Sequence, residues 1–191
     1  MTPALRHGAG PCKAIVMNGW MGRADHWQGF LDAIDAQAFE IAVFDYRGYG
    51  TRRDVAGAYT FTEAAADVLA LADALGWSRF SLIGHSMGGM AMQRVALAVP
   101  ARVERLLGIA PVSAAGSRMD ATRIALFESA VDDAGTRARI VDFSTGQRLS
   151  KAWCERIATD SWQAHRPDAV GAYLKEWALD GFAGELGAPA L

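Results

Sequence analysis

The chain has 191 residues, half of them hydrophobic, with a formal net charge of −2 and six tryptophans, enough to bury one core and too aromatic for a disordered chain. Its positive charges are dispersed apart from short pairs such as Arg52-Arg53, so neither a nucleic acid nor an anionic membrane is expected as a partner. No apolar stretch is long enough to span a bilayer, residues 1–10 lack an apolar signal-peptide core, and a cytoplasmic location is the expectation. Cys12 and Cys154 are far apart and form no CxxC pair, so both read as free thiols.

The first apolar run, Cys12 to Met17, breaks at Asn18-Gly19 and reads as a buried strand ending in a turn. Asp25, with Gln28 three places on, has the spacing of a capping box; Trp27, Phe30, Leu31 and Ile34 then form a helical face. Residues 39–44 make a second strand, closed by the glycine-bearing loop Asp45-Tyr46-Arg47-Gly48-Tyr49-Gly50. Thr60 and Glu63 form another capping box, opening a helix whose period runs from Phe61 to Leu75 and stops at Gly76. A third strand covers residues 80–84, a helix follows from Met87 to about Val99 and stops at Pro100, and a fourth strand runs from Val103 to Pro111.

Alternating strands and helices predict an α/β protein, a parallel sheet covered by helices on both faces. Right-handed crossovers put the C-terminal strand ends on one edge, where Asn18, Asp45, Ser86 and Pro111 are expected to gather. After Gly116 only helix signals follow, with apolar faces at Ile124/Phe127/Val131, at Leu149/Trp153/Ile157 and at Val170/Tyr173/Leu174/Trp177. The expected organisation is a core over residues 1–116, a helical cap over 117–183 lying across the site edge, and a further core strand beginning within 184–191, at Ala188-Pro189-Ala190-Leu191.

Gly84-His85-Ser86-Met87-Gly88 stands between the third strand and its helix. A serine there sits on a tight turn, with small residues two places either side allowing close backbone approach. Ser86 is therefore the candidate nucleophile. The Met87 N–H opens the helix, where unpaired donors and the helix dipole favour a developing oxyanion.

Asn18-Gly19-Trp20, Asp45-Tyr46-Arg47-Gly48-Tyr49-Gly50 and Gly84-His85-Ser86-Met87-Gly88-Gly89, in that order, resemble the alpha/beta-hydrolase superfamily. The resemblance covers residues 12 to about 112, and the helical block in outline. It implies that Ser86 is the nucleophile and that Trp20 supplies an oxyanion-hole N–H beside that of Met87. Asn18 stands where the family usually has histidine, a residue that supports the loop rather than reacting. In the family an acid and then a histidine follow strands that come after the cap. This sequence reaches Leu191 where the first of those strands is expected to begin, so the triad acid and base are unassigned, and the chain reads either as the N-terminal part of a longer hydrolase or as a shortened relative without standard triad chemistry. The alternative acid position, after Pro111, holds Val112, Ser113, Ala114 and Ala115, none of which can orient a histidine.

Other residues carry blander readings. His85 is read as a packing or hydrogen-bonding group on the far side of the turn, His26 as a solvated or locally bonded side chain, and Asp45 as a loop brace. His165, the one histidine after Ser86, lies between two cap helices with no spacing that predicts contact with the serine. Phe127, Phe143, Trp153, Trp162, Tyr173 and Trp177 read mostly as cap core. No metal site is expected, because no His/Cys/Asp cluster has ligand spacing. The expected function is a cofactor-free serine hydrolase acting on a small ester, thioester or related carbonyl through an acyl-enzyme. The alternative is a non-catalytic or truncated hydrolase-like protein serving as a ligand-binding or interaction module, with self-association through an open sheet edge.

Overall fold

Alternate side chains of two central strands point to two different apolar cores. In the computed structural model, which describes residues 1–186, β1 (Leu5–Gly8), β2 (Cys12–Met17), β3 (Phe39–Phe44), β4 (Phe80–His85) and β5 (Val103–Ile109) form one sheet in the order β1-β3-β2-β4-β5. Ile15 and Met17 of β2, with Ala42 and Phe44 of β3, pack into the larger core with α2 (Phe61–Ala74) and α3 (Met87–Ala98). Ala14, Val16, Ile41 and Val43 face the opposite side, against Leu31 of α1 (Gln28–Asp32). This period of two, with both sets apolar, is the mark of strands buried on both faces.

The sheet is mixed rather than wholly parallel. β2 to β5 pair in parallel, whereas β1 runs antiparallel to β3, with Leu5 opposite Val43. Leu-Arg-His-Gly carries no apolar alternation, and β1 exists because the backbone edge of β3 offers it hydrogen bonds. The helix expected at Asp25 also differs: a 3₁₀ turn at Ala24–Trp27 precedes a five-residue α1. Asp25 lies inside that turn instead of ahead of it, and its carboxylate pairs with Arg23 at 2.6 Å rather than capping. The other capping box forms. Thr60 Oγ1 accepts the Glu63 N–H at 3.1 Å, and Gly76 closes α2 at φ +71°.

Four helices follow Gly116: α4 (Ala121–Ser129), α5 (Ala134–Ser144), α6 (Lys151–Ala164) and α7 (Pro167–Ala178). The sequence pattern shows three apolar faces, and α5 is the helix it misses, because α5 packs around a buried arginine. Arg137 is fully buried and donates to the carbonyls of Ala130 (2.8 Å) and Val131 (2.9 Å) and to Ser161 Oγ (3.1 Å). A 3₁₀ turn at Ala183–Leu186 ends the described residues; the strand expected from Ala188 lies outside them. Among the described residues no helix is long and apolar enough to cross a membrane.

One tie between the helical block and the core runs through the Tyr49 loop, beside others such as Phe61 N–H to Glu176 and Trp20 Nε1 to the Val170 carbonyl. Tyr49 and His165 form an isolated antiparallel bridge, Arg166 N–H donates to the Gly48 carbonyl at 2.9 Å, and the rings of Tyr49 and His165 stack with centroids 4.0 Å apart. His165 is wholly buried, with Nδ1 3.2 Å from Ser161 Oγ. Burial, reinforced by the Arg137 guanidinium, lowers its pKa from 6.5 to about 3. The unfolded chain therefore takes up a proton below its ordinary pKa that the folded chain refuses. Stability from this site is full above about pH 6.5 and is lost as pH falls toward 3. We expect about 2 kcal/mol of it to be lost between about pH 7.5 and pH 5. Denaturant unfolding at both pH values should show that loss in the parent chain and its absence in His165→Gln.

Candidate active site

β4 runs into α3 through Ser86, which adopts φ 53°, ψ −119°, a conformation that costs a non-glycine residue energy and persists only where the surroundings enforce it. Three backbone hydrogen bonds do so. Ser86 N–H donates to the Ile109 carbonyl at 3.1 Å, and its own carbonyl accepts from Gly89 (2.8 Å) and Val112 (2.9 Å). The glycines of the motif make the turn possible. A Cβ on Gly84 would stand 2.4 Å from the Gly88 carbonyl oxygen, and one on Gly88 would stand 2.2 Å from that of Met17. Met87 is the first residue of α3, where helix geometry leaves its N–H without an intrahelical acceptor.

The Asn18-Gly19-Trp20 turn passes directly beside this serine. A Cβ on Gly19 would lie 3.4 Å from Ser86 Cβ and 2.8 Å from His85 Nδ1. Asn18 is buried and its amide is fully used: Nδ2 donates to the Phe44 carbonyl (2.8 Å) and Asp45 Oδ1 (3.1 Å), while Oδ1 accepts from Trp27 Nε1 (2.6 Å). Trp20 is held at both ends. Its Nε1 donates to the Val170 carbonyl at 2.8 Å, and its own carbonyl accepts the Tyr49 hydroxyl at 2.7 Å.

Asp45 is buried beneath the turn and accepts from the Ala24 and Thr51 N–H groups, from Thr51 Oγ1 and from Asn18. Burial pushes its pKa above the usual value, against the pull of those donors. Arg47 leaves the same loop to grip α2, with Nε and Nη2 on the two Asp67 oxygens at 2.8 and 2.9 Å and Nη1 on Glu63 at 2.9 Å. Desolvation opposes ionisation of Asp67, yet the Arg47 and Arg52 guanidiniums hold its pKa below the ordinary value.

Ser86 opens on a cavity of about 730 Å³, lined also by Trp20, His26, Trp27, His85, Phe127, Ile140, Ile157 and Trp177. The volume suits a small organic ligand. A second cavity of about 620 Å³, between α4, α7 and the segment before α2, shares none of these residues and is lined by no serine, cysteine or histidine.

The strand ends thus bring Asn18, Asp45 and Ser86 together as the α/β pattern implies. His85 and His26 both line the Ser86 cavity, and both are exposed, as the solvated reading of His26 expects. His165 does not line it. Of the six aromatics of the helical block, Phe127 and Trp177 do; Phe143 is solvent-exposed, and Tyr173 packs on Tyr46 and Tyr49. Trp27 is a cavity residue that helical periodicity assigns to a packing face. Its indole donates a hydrogen bond to Asn18, nine residues earlier, a contact with no signal in helical spacing.

A family model for the alpha/beta hydrolase fold matches residues 15–148. The chain belongs to the alpha/beta-hydrolase family. The RutD protein of Variovorax paradoxus (strain S110), which bears the name carbamate hydrolase, is 30% identical over 97% of this chain and 74% of its own length. The pimeloyl-[acyl-carrier protein] methyl ester esterase of Pectobacterium carotovorum subsp. carotovorum (strain PC1) is 34% identical over 54% of this chain and 38% of its own. A hydrolase from Oleispira antarctica superposes with a TM-score of 0.82 at 18% identity, covering 95% of this chain and 71% of that one. These relatives support a hydrolase function for this alpha/beta-hydrolase chain.

The close approach at Gly88 has a measurable cost if blocked. Gly88→Ala meets backbone oxygen on two residues, which cannot rotate away, and should destabilise by about 1–3 kcal/mol. Gly29→Ala, at a helical position with open space around it, should be neutral or stabilise by up to about 1 kcal/mol. Urea unfolding of the two variants beside the parent reads both.

Proposed function

We propose that the chain is a serine hydrolase in which Ser86 attacks the carbonyl of a small ester, thioester or related substrate. The N–H groups of Trp20 and Met87 receive the oxyanion; the carbon–oxygen or carbon–sulfur bond to the leaving group breaks as the acyl-enzyme forms, the serine proton passes through the unassigned base to the departing alcohol or thiol, and water then releases the acid. The observation that carries this reading is the backbone of Ser86, held at positive φ between β4 and α3. The turn keeps that serine at the mouth of a cavity, with a helix N-terminus on one side and the Gly19-Trp20 turn on the other. The hydrolase names of the relatives support the same class. The reading assigns the nucleophile and the oxyanion donors, and His26 and His85 are imidazoles facing the same cavity.

We also propose that residues 117–183 act as a cap that shapes the substrate site. Phe127 of α4, Ile140 and Val141 of α5, Ile157 of α6 and Trp177 of α7 all contribute to the cavity wall. The substrate is a small molecule, and no cofactor is invoked. Fluorophosphonate labelling and p-nitrophenyl acetate turnover test the nucleophile directly. Both should be present in the parent and reduced at least about a hundredfold in Ser86→Ala. Equal labelling and turnover in the two proteins would sink the assignment.

A second reading, as an interaction module, is favoured by β5. Among the described residues it lies at the sheet edge, and Leu106, Leu107 and Ile109 are exposed on it, Leu107 at 54%. An apolar edge strand is a template for pairing, and the expected occupant is a second copy of this chain. Sedimentation velocity should show concentration-dependent dimerisation that Leu107→Lys shifts to monomer; a monomer at all concentrations rules this reading out.

A further inference from the structure

The lining of the Ser86 cavity contains no lysine, arginine, aspartate or glutamate among the described residues. Two of its three indole N–H groups are spent, while that of Trp177 is buried without a partner. Trp20 Nε1 is bonded to the Val170 carbonyl and Trp27 Nε1 to Asn18 Oδ1, so those two rings offer carbon to a ligand. The buried charges of the surrounding structure are engaged elsewhere. Asp45 is held by Ala24, Thr51 and Asn18, and Arg137 by Ala130, Val131 and Ser161.

Trp20, Phe127 and Trp177 form a mutual cluster in the cavity wall. Their centroids are 5.3 to 5.8 Å apart, with interplanar angles from 44° to 78°. Rings tilted in this way present both edges and faces, the geometry in which a further aromatic ring packs well. Ile140 and Ile157 complete the apolar wall. The cavity, about 730 Å³, has room for a ring and its linker beside the reacting carbonyl.

We infer that the site takes neutral substrates whose acyl group is carbon-rich and bears a ring, and that it rejects acyl groups ending in a carboxylate. This rests on the reading of Ser86 as nucleophile. A ring-bearing acyl group exchanges water contact for the Trp20, Phe127 and Trp177 surfaces. A carboxylate on the same chain loses its hydration and finds no lysine or arginine among the described lining residues, and the neutral indole N–H of Trp177 does not replace the lost water shell or supply a countercharge. The two imidazoles in the lining are uncharged at about pH 8, well above the ordinary histidine pKa, so the contrast is sharpest there.

The 191-residue chain is assayed at about pH 8 on p-nitrophenyl esters, each rate normalised to that ester's spontaneous hydrolysis. The kcat/KM for 3-phenylpropionate should exceed that for acetate by at least about tenfold. The glutarate monoester should fall at least about tenfold below its neutral counterpart, the hexanoate. An acetate or glutarate rate equal to that of its partner would overturn the inference.

Binding supplies a readout that does not need catalysis. In Ser86→Ala, tryptophan fluorescence titrated with methyl 3-phenylpropionate should give a Kd at least about tenfold below that for the 3-phenylpropionate anion; equal affinities overturn the inference. The two readings separate cleanly. Fluorophosphonate labelling at Ser86 with a flat ester series retains the nucleophile and removes the substrate class. Absent labelling with a selective titration does the reverse.

Discussion

The contact on which the rest of this structure depends is the one between the first turn of α3 and the end of β2. The Gly88 backbone lies against the Met17 carbonyl at a separation that excludes even a methyl group. That approach seats α3 on the sheet directly after β4, forces the intervening Ser86 to positive φ and brings its side chain to the end of β2. The Asn18-Gly19-Trp20 turn, which leaves that same strand end, is thereby delivered beside the serine. The strained serine, the helix N-terminus and the adjacent turn are one geometric consequence of two backbones meeting without side chains between them.

Such a turn would be loose without support, and the support is polar and buried. Asn18 links three partners, Asp45 gathers four donors beneath it, and Tyr49 fixes the Trp20 carbonyl. The Asn18, Asp45 and Tyr49 side chains are each satisfied, which is the condition under which polar networks rigidify a fold rather than weaken it. The Asp45–Gly50 loop is in turn anchored twice: to α2 by the Arg47–Asp67 pair, and to the helical block through Tyr49 and His165. Asp45, read from the sequence as a loop brace, and His165 are both part of this scaffold. A fully buried neutral imidazole stacked on tyrosine is poorly placed to take a proton and well placed to hold two parts of a fold together.

The cavity shows a different division of labour. Its floor comes from the strand ends, where backbone geometry dictates position, while much of its wall comes from α4 to α7, where side-chain identity sets shape. The wall is apolar because its charged neighbours find partners behind it. Arg137 serves carbonyls and Ser161 inside the helical block, and this is also why α5 escapes a search for periodic apolar faces.

What the sequence determined by itself was whatever is local. The β2, β3 and β4 runs, the Thr60 capping box, the Gly76 stop and the Gly-x-Ser-x-Gly turn each state their conformation within a few residues, because sterics and nearby hydrogen bonds decide them. The family resemblance rests on three such local motifs. Only the tertiary structure decided what depends on distant partners. β1 is a strand because β3 has a free edge, Asp25 fails as a cap because its turn begins one residue earlier, and Trp27 joins the cavity because Asn18 holds its indole. His26 and His85 line the cavity that Ser86 lines, and His165 does not, because the folding of whole elements against each other carries no periodicity in the chain.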